Sequence, residues 1–284
     1  MSELLARWEG TLACPVRGCG AVLSWEPRRT RCPHGHAFDL GRSGYCNLLQ
    51  PQDKKSVHPG DSKEAVLARR RSLGRGLGAS LREALLERVR QWAIPPEAVV
   101  LDVGCGEGFF LDQVVRATQA VGWGLDLSTP AIDTAARTYP DCRWVVGNAD
   151  RHLPFRDGSV DLLLSITSRK NGPEFGRVLR DTGHLLVVVP DTDDLQQLRE
   201  ATLGKAIDKD RLASTLDALA GQFEVEQETT ARSTHRLDAE ALDDLLKGSY
   251  RGARLSARRR FEQIQELEVT LSYRLIGFRP RKLG

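Results

Sequence analysis

The run Leu101-Asp102-Val103-Gly104-Cys105-Gly106-Glu107-Gly108 constrains the fold more than any other segment of the chain. It closes an apolar stretch, Val99–Val103, that reads as a buried strand, and it opens a helical stretch near 108–119. Glycines in such a turn let the backbone adopt φ > 0 and let a ligand come close to it. The helix N-terminus behind them adds unpaired N–H groups and positive potential. A dinucleotide fold uses that arrangement for pyrophosphate. Here the spacing is G-x-G-x-G rather than G-x-G-x-x-G. Asp102, ahead of the first glycine, is a carboxylate able to meet an amine.

S-adenosylmethionine fits these groups better than a dinucleotide. It carries an amine and a carboxylate at its methionyl end and no phosphate. Asp126 ends the next apolar run, Val121-Gly-Trp-Gly-Leu-Asp126, and suits a carboxylate that accepts both ribose hydroxyls. Asn148 and Asp150, past a third run, are candidates for the adenine edge. The expected cofactor set is therefore Asp102, Gly104, Gly106, Glu107, Gly108, Asp126, Asn148 and Asp150. A nicotinamide cofactor is the weaker alternative.

The rest of the pattern supports a sheet around this loop. Apolar runs at 99–103, 120–125, 143–146, 160–166 and 185–189 alternate with helix-like stretches at 108–119, 130–138 and 173–180. That alternation predicts an α/β fold with parallel strands and helices on both faces. Two later strands, near 222–229 and 267–278, flank a helix near 238–247. The total is a Rossmann-like, mostly parallel seven-stranded sheet with helices on both faces. Ahead of it, Asp61 or Ser62 should cap a helix through Arg69–Arg71. Gly74, Gly76 and Gly78 should end that helix before a second one near 80–92. The expected divisions are a small module at 10–50, a linker with helices at 51–92, and the methyltransferase domain at 93–284.

Residues 10–50 are rich in Cys, Gly, Pro and Arg and too few to build a core without a metal. Cys14, Cys19, Cys32 and His36 form C-x4-C-x12-C-x3-H. Three thiolates and one imidazole suit a tetrahedral zinc ion, and a filled shell makes it structural. His34 competes with His36 as fourth ligand, and Cys46 is a weaker candidate. Cys105 and Cys142 read as small core residues.

No apolar run approaches the roughly 18 residues of a membrane span. Met1 to Trp8 includes Glu3 and Arg7, so no signal peptide is expected and the protein is expected in the cytoplasm. The net charge of +3 is segregated. Residues 1–90 carry 16 Lys+Arg and 9 Asp+Glu, residues 91–250 carry 16 and 26, and residues 251–284 carry 9 and 3. Basic ends around an acidic middle suggest a polyanion held outside the central domain.

Several stretches together resemble a known family. They are the cysteine pairs with Phe38-Asp39, Gly44-Tyr45-x-Asn47-Leu48-Leu49, Pro59-Gly60-Asp61-Ser62, Ala68-Arg69-Arg70, the octapeptide, Gly124-Leu125-Asp126-x-Ser128, and Leu153-Pro154-Phe155 with Asp161. With these the chain resembles the bacterial 23S ribosomal RNA guanine-N1 methyltransferases. Their N-terminal zinc-binding domain precedes a class I methyltransferase domain. The resemblance implies methylation of guanine N1 in a 23S rRNA hairpin loop, RNA held partly by the zinc domain, and a homodimer. The chain differs from the family pattern in its first cysteine spacing, at 166–171, at 190–194, and at Gly78, where a Tyr is expected.

Segment 165–171, at the exit of the fourth run, is where a class I fold meets its substrate. Arg169, Lys170 and Asn171 are the candidates there for phosphate or base edges. Lys54-Lys55, Arg69–Arg71 and the arginines at 258–260 are candidate phosphate contacts, and Trp25 or Tyr45 could stack on a base. No proton acceptor for N1 is legible. Two other readings compete: methylation of another RNA base or a small molecule, and a non-catalytic RNA-binding protein on this scaffold.

Overall fold

The computed structural model describes residues 10–53, 59–203, 211–249 and 263–281. Met1–Trp8, Lys54-Lys55 and the arginines at 258–260 lie outside the described residues.

The N-terminal module is a three-stranded antiparallel sheet of β1 (Ser24–Trp25), β2 (Arg29–Arg31) and β3 (Ala37–Asp39). A further short strand, β4 (Cys46–Asn47), leaves it and pairs elsewhere. Helix α1 (Lys63–Gly74) follows, with Ser62 as its N-cap: the hydroxyl accepts from the Ala65 N–H at 3.2 Å. The glycine-rich turn separates it from α2 (Ala79–Gln91).

The central unit then runs β5 (Val99–Val103), α3 (Phe109–Thr118), β6 (Val121–Asp126), α4 (Thr129–Thr138), β7 (Arg143–Val146), β8 (Val160–Ile166), α5 (Gly172–Val178) and β9 (Leu179–Pro190). After it come α6 (Gln196–Leu203), α7 (Arg211–Leu219), β10 (Phe223–Asp238), α8 (Ala239–Ser249) and β11 (Glu266–Pro280). The spatial order is β10-β11-β9-β8-β5-β6-β7-β4. Strand β11 is antiparallel to both of its neighbours, and the other pairings are parallel.

The sequence pattern predicts seven strands, and the sheet has eight. The added strand is β4, whose Cys46 and Asn47 sit opposite Val145 and Val146 on β7. Two residues are too few for an apolar period, so the pairing left no signal in sequence. Helices α6 and α7 were also unforeseen, and strand β10 is far longer than the predicted 222–229. Its far half does bury alternate positions, Ala231 and Leu237 among them, but the residues between these two on that face are Ser233 and His235, so no apolar alternation marks it in the sequence.

Alternate residues along each strand divide the core. Leu101, Val103, Trp123, Leu125 and Val187 face one side, Val100, Leu162, Leu164 and Val188 the other. The second side is covered by α2, α3 and α4 through Leu81, Leu85, Leu111 and Ile132. The first is covered by α5 through Phe175 and Val178, and by the N-terminal module through Leu12, Leu23 and Leu48. Trp25 lies 6.1 Å from Trp123 of β6, ring centre to ring centre, and Trp123 meets Phe155 edge-on at 5.8 Å. Trp25 thus belongs to this shared core. Tyr45 packs against the other cluster.

Candidate functional site

The site gathers at the carboxyl ends of β5, β6, β7, β8 and β9. The glycine loop is pinned first. The Gly104 and Cys105 N–H groups donate to the Leu125 carbonyl at 2.7 and 3.1 Å, and the Gly106 N–H donates to the Asp126 carboxylate at 3.0 Å. Asp126 also accepts from the Ser128 N–H at 2.7 Å. Loop and acid form one rigid unit at the top of β5 and β6.

Two glycines in it are dictated by their neighbours. Gly104 has φ +79°, and a Cβ there would lie 2.5 Å from the Ser168 Cβ. Gly108 has φ +89°, and a Cβ there would lie 2.3 Å from the Trp144 ring. Gly108 therefore serves close packing of α3 against β7, besides anything it does for a ligand.

Asp102 is 1% exposed, and its Oδ1 has no hydrogen-bond partner among the described residues. Such an atom costs on the order of 1–3 kcal/mol, more when charged. Burial, with Asp126 and Glu107 adding, holds its carboxyl well above the usual carboxylate range. Burial also raises Glu107 and Asp126. Three carboxyl groups thus face one loop with an unmet acceptor among them. That deficit fits the cationic, amine-bearing methionyl end of S-adenosylmethionine.

Asn148 and Asp150 reach the same rim by different means. The Asn148 amide donates to the Asp53 carbonyl at 2.9 Å and accepts from the Asp150 N–H at 3.0 Å, which ties the 51–53 turn to the end of β7. Asp150 pairs with Arg169 at 3.4 Å.

The loop after β8 locks onto the glycine loop. Thr167, a β-branched residue, sits at φ +51°, a strained conformation of the kind that clusters at functional sites. The Ser168 hydroxyl donates to the Val103 carbonyl at 2.6 Å and lies 2.9 Å from that of Ser165. Beyond it Arg169 is exposed, the Lys170 ammonium donates to the Ser168 carbonyl at 2.5 Å, and the Asn171 amide donates to the Ala149 carbonyl at 2.9 Å. Burial, then Arg211, brings Lys170 down to about 8. Next to this loop is a cavity of about 360 Å³ lined by Thr167, Lys170, Pro190, Arg211, Ser214 and Thr215 among others.

Of the arginines at 69–71, two are spoken for as phosphate contacts. Arg69 donates to Asp61 and to the Gly248 carbonyl, both at 2.7 Å. Arg71 and Arg75 grip buried Asp244 at 2.5 Å each. Charge spent on internal carboxylates is not free for a polyanion. Arg70 bonds the Thr138 hydroxyl at 2.6 Å. Asp61 and Ser128, which no local sequence pattern marks as site residues, meet at the rim. The Ser128 hydroxyl donates to the Asp61 carbonyl at 2.7 Å, so the Pro59–Ser62 stretch crosses the end of β6.

In the module, one ligand atom each from Cys14, Cys19, Cys32 and His36 lies within 4.8 Å of every other. The Cys19–Cys32 sulfur separation is 3.9 Å, and His36 Nδ1 lies 3.5 and 3.4 Å from the Cys14 and Cys32 sulfurs. A tetrahedral zinc ion with ordinary bond lengths requires about 3.8 Å between sulfurs and about 3.6 Å between sulfur and nitrogen. The donor set therefore fits zinc. His34 lies outside that group, its exposed ring 3.3 Å from the Cys19 sulfur. Cys46 is buried 3.5 Å from the Thr30 hydroxyl, outside the cluster.

Residues 12–57 match the zinc-ribbon family model described as RlmA, N-terminal, and residues 100–186 match the model described as Methyltransferase domain. The chain is 36% identical over 277 residues to the 23S rRNA (guanine(748)-N(1))-methyltransferase of Streptomyces fradiae, covering 95% of this chain and 96% of that protein. It is 37% identical over 244 residues, 80% of each chain, to a Micromonospora griseorubida protein named provisionally as a 23S rRNA (guanine-N(1)-)-methyltransferase. Among solved structures, the YcgJ protein of Bacillus subtilis shares the fold, with a TM-score of 0.52 and 15% identity, over 70% of this chain and 99% of that one. The chain is an S-adenosylmethionine-dependent, zinc-ribbon-bearing methyltransferase, and it belongs to the 23S rRNA (guanine-N1)-methyltransferase family.

Proposed function

We propose that this protein methylates N1 of a guanine in a hairpin loop of 23S rRNA. The observation that carries the reading is the path of residues 59–70. This stretch, part of the family resemblance, meets the cofactor rim through the Asp61–Ser128 bond and places Arg69 beside Gly106. Likeness to the Streptomyces fradiae enzyme over nearly the whole chain supports the same substrate class.

In this reading Asp102 meets the donor's amine, the Gly104–Gly108 loop lies along its methionyl end, and Asp126 meets the ribose hydroxyls. Asn148 and Asp150 border the adenine edge. The bound donor supplies an electrophilic methyl group on a sulfonium. The chain positions the acceptor nitrogen about 3 Å from that carbon, in line with the bond that breaks. A guanine in a loop suits the reaction, because N1 is engaged in a Watson–Crick pair.

Cys14, Cys19, Cys32 and His36 hold a structural zinc ion in the module. Five arginines against two acids make residues 10–50 basic, and Arg17, Arg28, Arg31 and Arg42 are exposed. They contact RNA phosphates. Arg169 and Asn171 border the acceptor. The protein acts in the cytoplasm, where its substrate is made, and as a homodimer like the family it resembles.

The test is methylation of a transcribed 23S rRNA hairpin with labelled donor, followed by nuclease digestion and chromatography of the nucleosides. Label in 1-methylguanosine is expected. Label in another base, or a small-molecule acceptor with no RNA product, would move the chain to the competing enzymatic reading. Absence of donor binding in a calorimetric titration would leave only a scaffold.

A further inference from the structure

We propose that the cavity between the loop after β8 and helix α7 receives the target guanine, and that Lys170 accepts its N1 proton. The inference rests on the guanine-N1 reading above and goes beyond it by naming the acceptor pocket and the base.

The glycine loop occupies the carboxyl ends of β5 and β6. The cavity opens past the ends of β8 and β9, at Thr167–Lys170 and Val189–Pro190. Strand β8 flanks β5 on the side away from β6, so the cavity and the loop straddle the point where the strand order reverses. Ligands of open α/β sheets bind there. Ser168 is a wall of both: it lines the cavity, and it bonds the Val103 carbonyl beneath the glycine loop. A base in the cavity is therefore separated from the glycine loop by one residue.

Size and lining come next. A volume of about 360 Å³ lies at the lower end of small-ligand sites and admits one nucleoside. Val189, Pro190 and Ala218 give it an apolar wall, while Thr167, Ser214 and Thr215 supply hydroxyls.

The chemistry then selects one side chain. Guanine N1 carries a proton that must leave for its lone pair to attack. The charged groups lining the cavity are Asp150, Arg169, Lys170 and Arg211. Guanidinium groups donate and do not accept. Asp150 is paired with Arg169, and a carboxylate is a far weaker base than an amine. Lys170 remains, and a lysine in a site of low polarity gives up its proton readily. Burial and Arg211 together bring Lys170 down to about 8, so about a tenth is neutral amine at pH 7 and the share grows as pH rises. The step balances. The N1 proton passes to the neutral Lys170 amine, giving an ammonium. The N1 lone pair forms the bond to the methyl carbon, and the methyl–sulfur bond breaks with its electron pair left on sulfur. The ammonium later returns its proton to water.

The test uses the full-length protein, the hairpin RNA, and the variants Lys170→Met and Lys170→Arg. Single-turnover rates are read from about pH 6 to about pH 10. For the wild type the rate should rise with a midpoint near the Lys170 value. Both variants should lose on the order of 10²-fold or more in rate, with donor and hairpin dissociation constants within about twofold of wild type. Lys170→Arg keeps the charge and should be no better than Lys170→Met, which separates proton transfer from phosphate binding. Apart from activity, the Lys170 Nζ resonance of donor-free protein should titrate near 8 and shift when the hairpin is added. Wild-type rates in either variant, or a Lys170 resonance unmoved by RNA, would overturn the inference while leaving guanine-N1 methylation intact. A wild type that binds donor yet leaves N1 unmarked would remove the function reading and this inference with it.

Discussion

Ser168 sits against Gly104: its hydroxyl bonds the Val103 carbonyl at 2.6 Å, and its Cβ occupies the place where a Gly104 side chain would be. The donor-binding loop and the acceptor loop are thus keyed into each other through one small residue. Gly104→Ala should strain both, at a cost on the order of 1–3 kcal/mol. Donor affinity, read by calorimetry, should fall about tenfold or more. Adding Ser168→Gly should recover part of the loss, since it removes the clash but not the positive φ. A double variant no better than the single would show that the two loops are not coupled in this way.

Asp102 is buried with an unmet acceptor, and its pKa is raised. The folded form keeps this proton above the unfolded value near 3.9. Its stability contribution is therefore complete below that value and is lost as pH climbs through the raised one. Asp102→Asn removes the cost, so the donor-free variant should melt higher than wild type at neutral pH. Its donor affinity should drop on the order of 10- to 100-fold, the worth of a charge-assisted hydrogen bond. A variant that melts lower and binds the donor normally would reverse the assignment.

The cysteine module shares its core with the sheet through Leu12, Leu23 and Leu48. Loss of its metal should therefore be felt globally. Cys32→Ser should fall from one zinc per chain to a small fraction by metal analysis. It should also melt on the order of 10 °C lower. His34→Ala should keep the zinc, because that exposed ring lies outside the four-residue ligand group. Zinc lost from His34→Ala and kept in His36→Ala would exchange the two roles.

Arg28 and Arg31 are exposed on and beside β2, where Arg29 is already paired with Glu26 at 3.1 Å. If they hold phosphates, hairpin affinity falls steeply with salt. Arg28→Ala with Arg31→Ala should reduce the log–log slope by about 1.4 for single-stranded contacts, with donor affinity unchanged. An unaltered slope would take the RNA off this face.

The parallel sheet was legible because its strands are buried on both faces and read as apolar runs, as Val99–Val103 and Val160–Ile166 do. The placement of Asp102 and Asp126 at one edge of the sheet followed from chain order alone, since they lie at the carboxyl ends of adjacent parallel strands. What the sequence could not reveal depends on contacts between distant segments. Cys46 beside Val145 and Asp61 beside Ser128 leave no local pattern. The arginines at 69–71 illustrate the same limit. A charge run reads as exposed and available, yet Asp244, far along the chain, claims Arg71. Helix α7, a wall of the acceptor cavity, has a short apolar stripe of Leu212, Leu216 and Leu219 that was easy to pass over.

The most direct test of guanine-N1 methylation is a map of methyl marks on 23S rRNA from matched strains with and without this protein, read by reverse-transcription arrest at N1-methylated guanine. The account predicts that one loop guanine loses its mark when the protein is absent and regains it on complementation with the wild type but not with Asp102→Asn. An unchanged guanine-N1 pattern would contradict it.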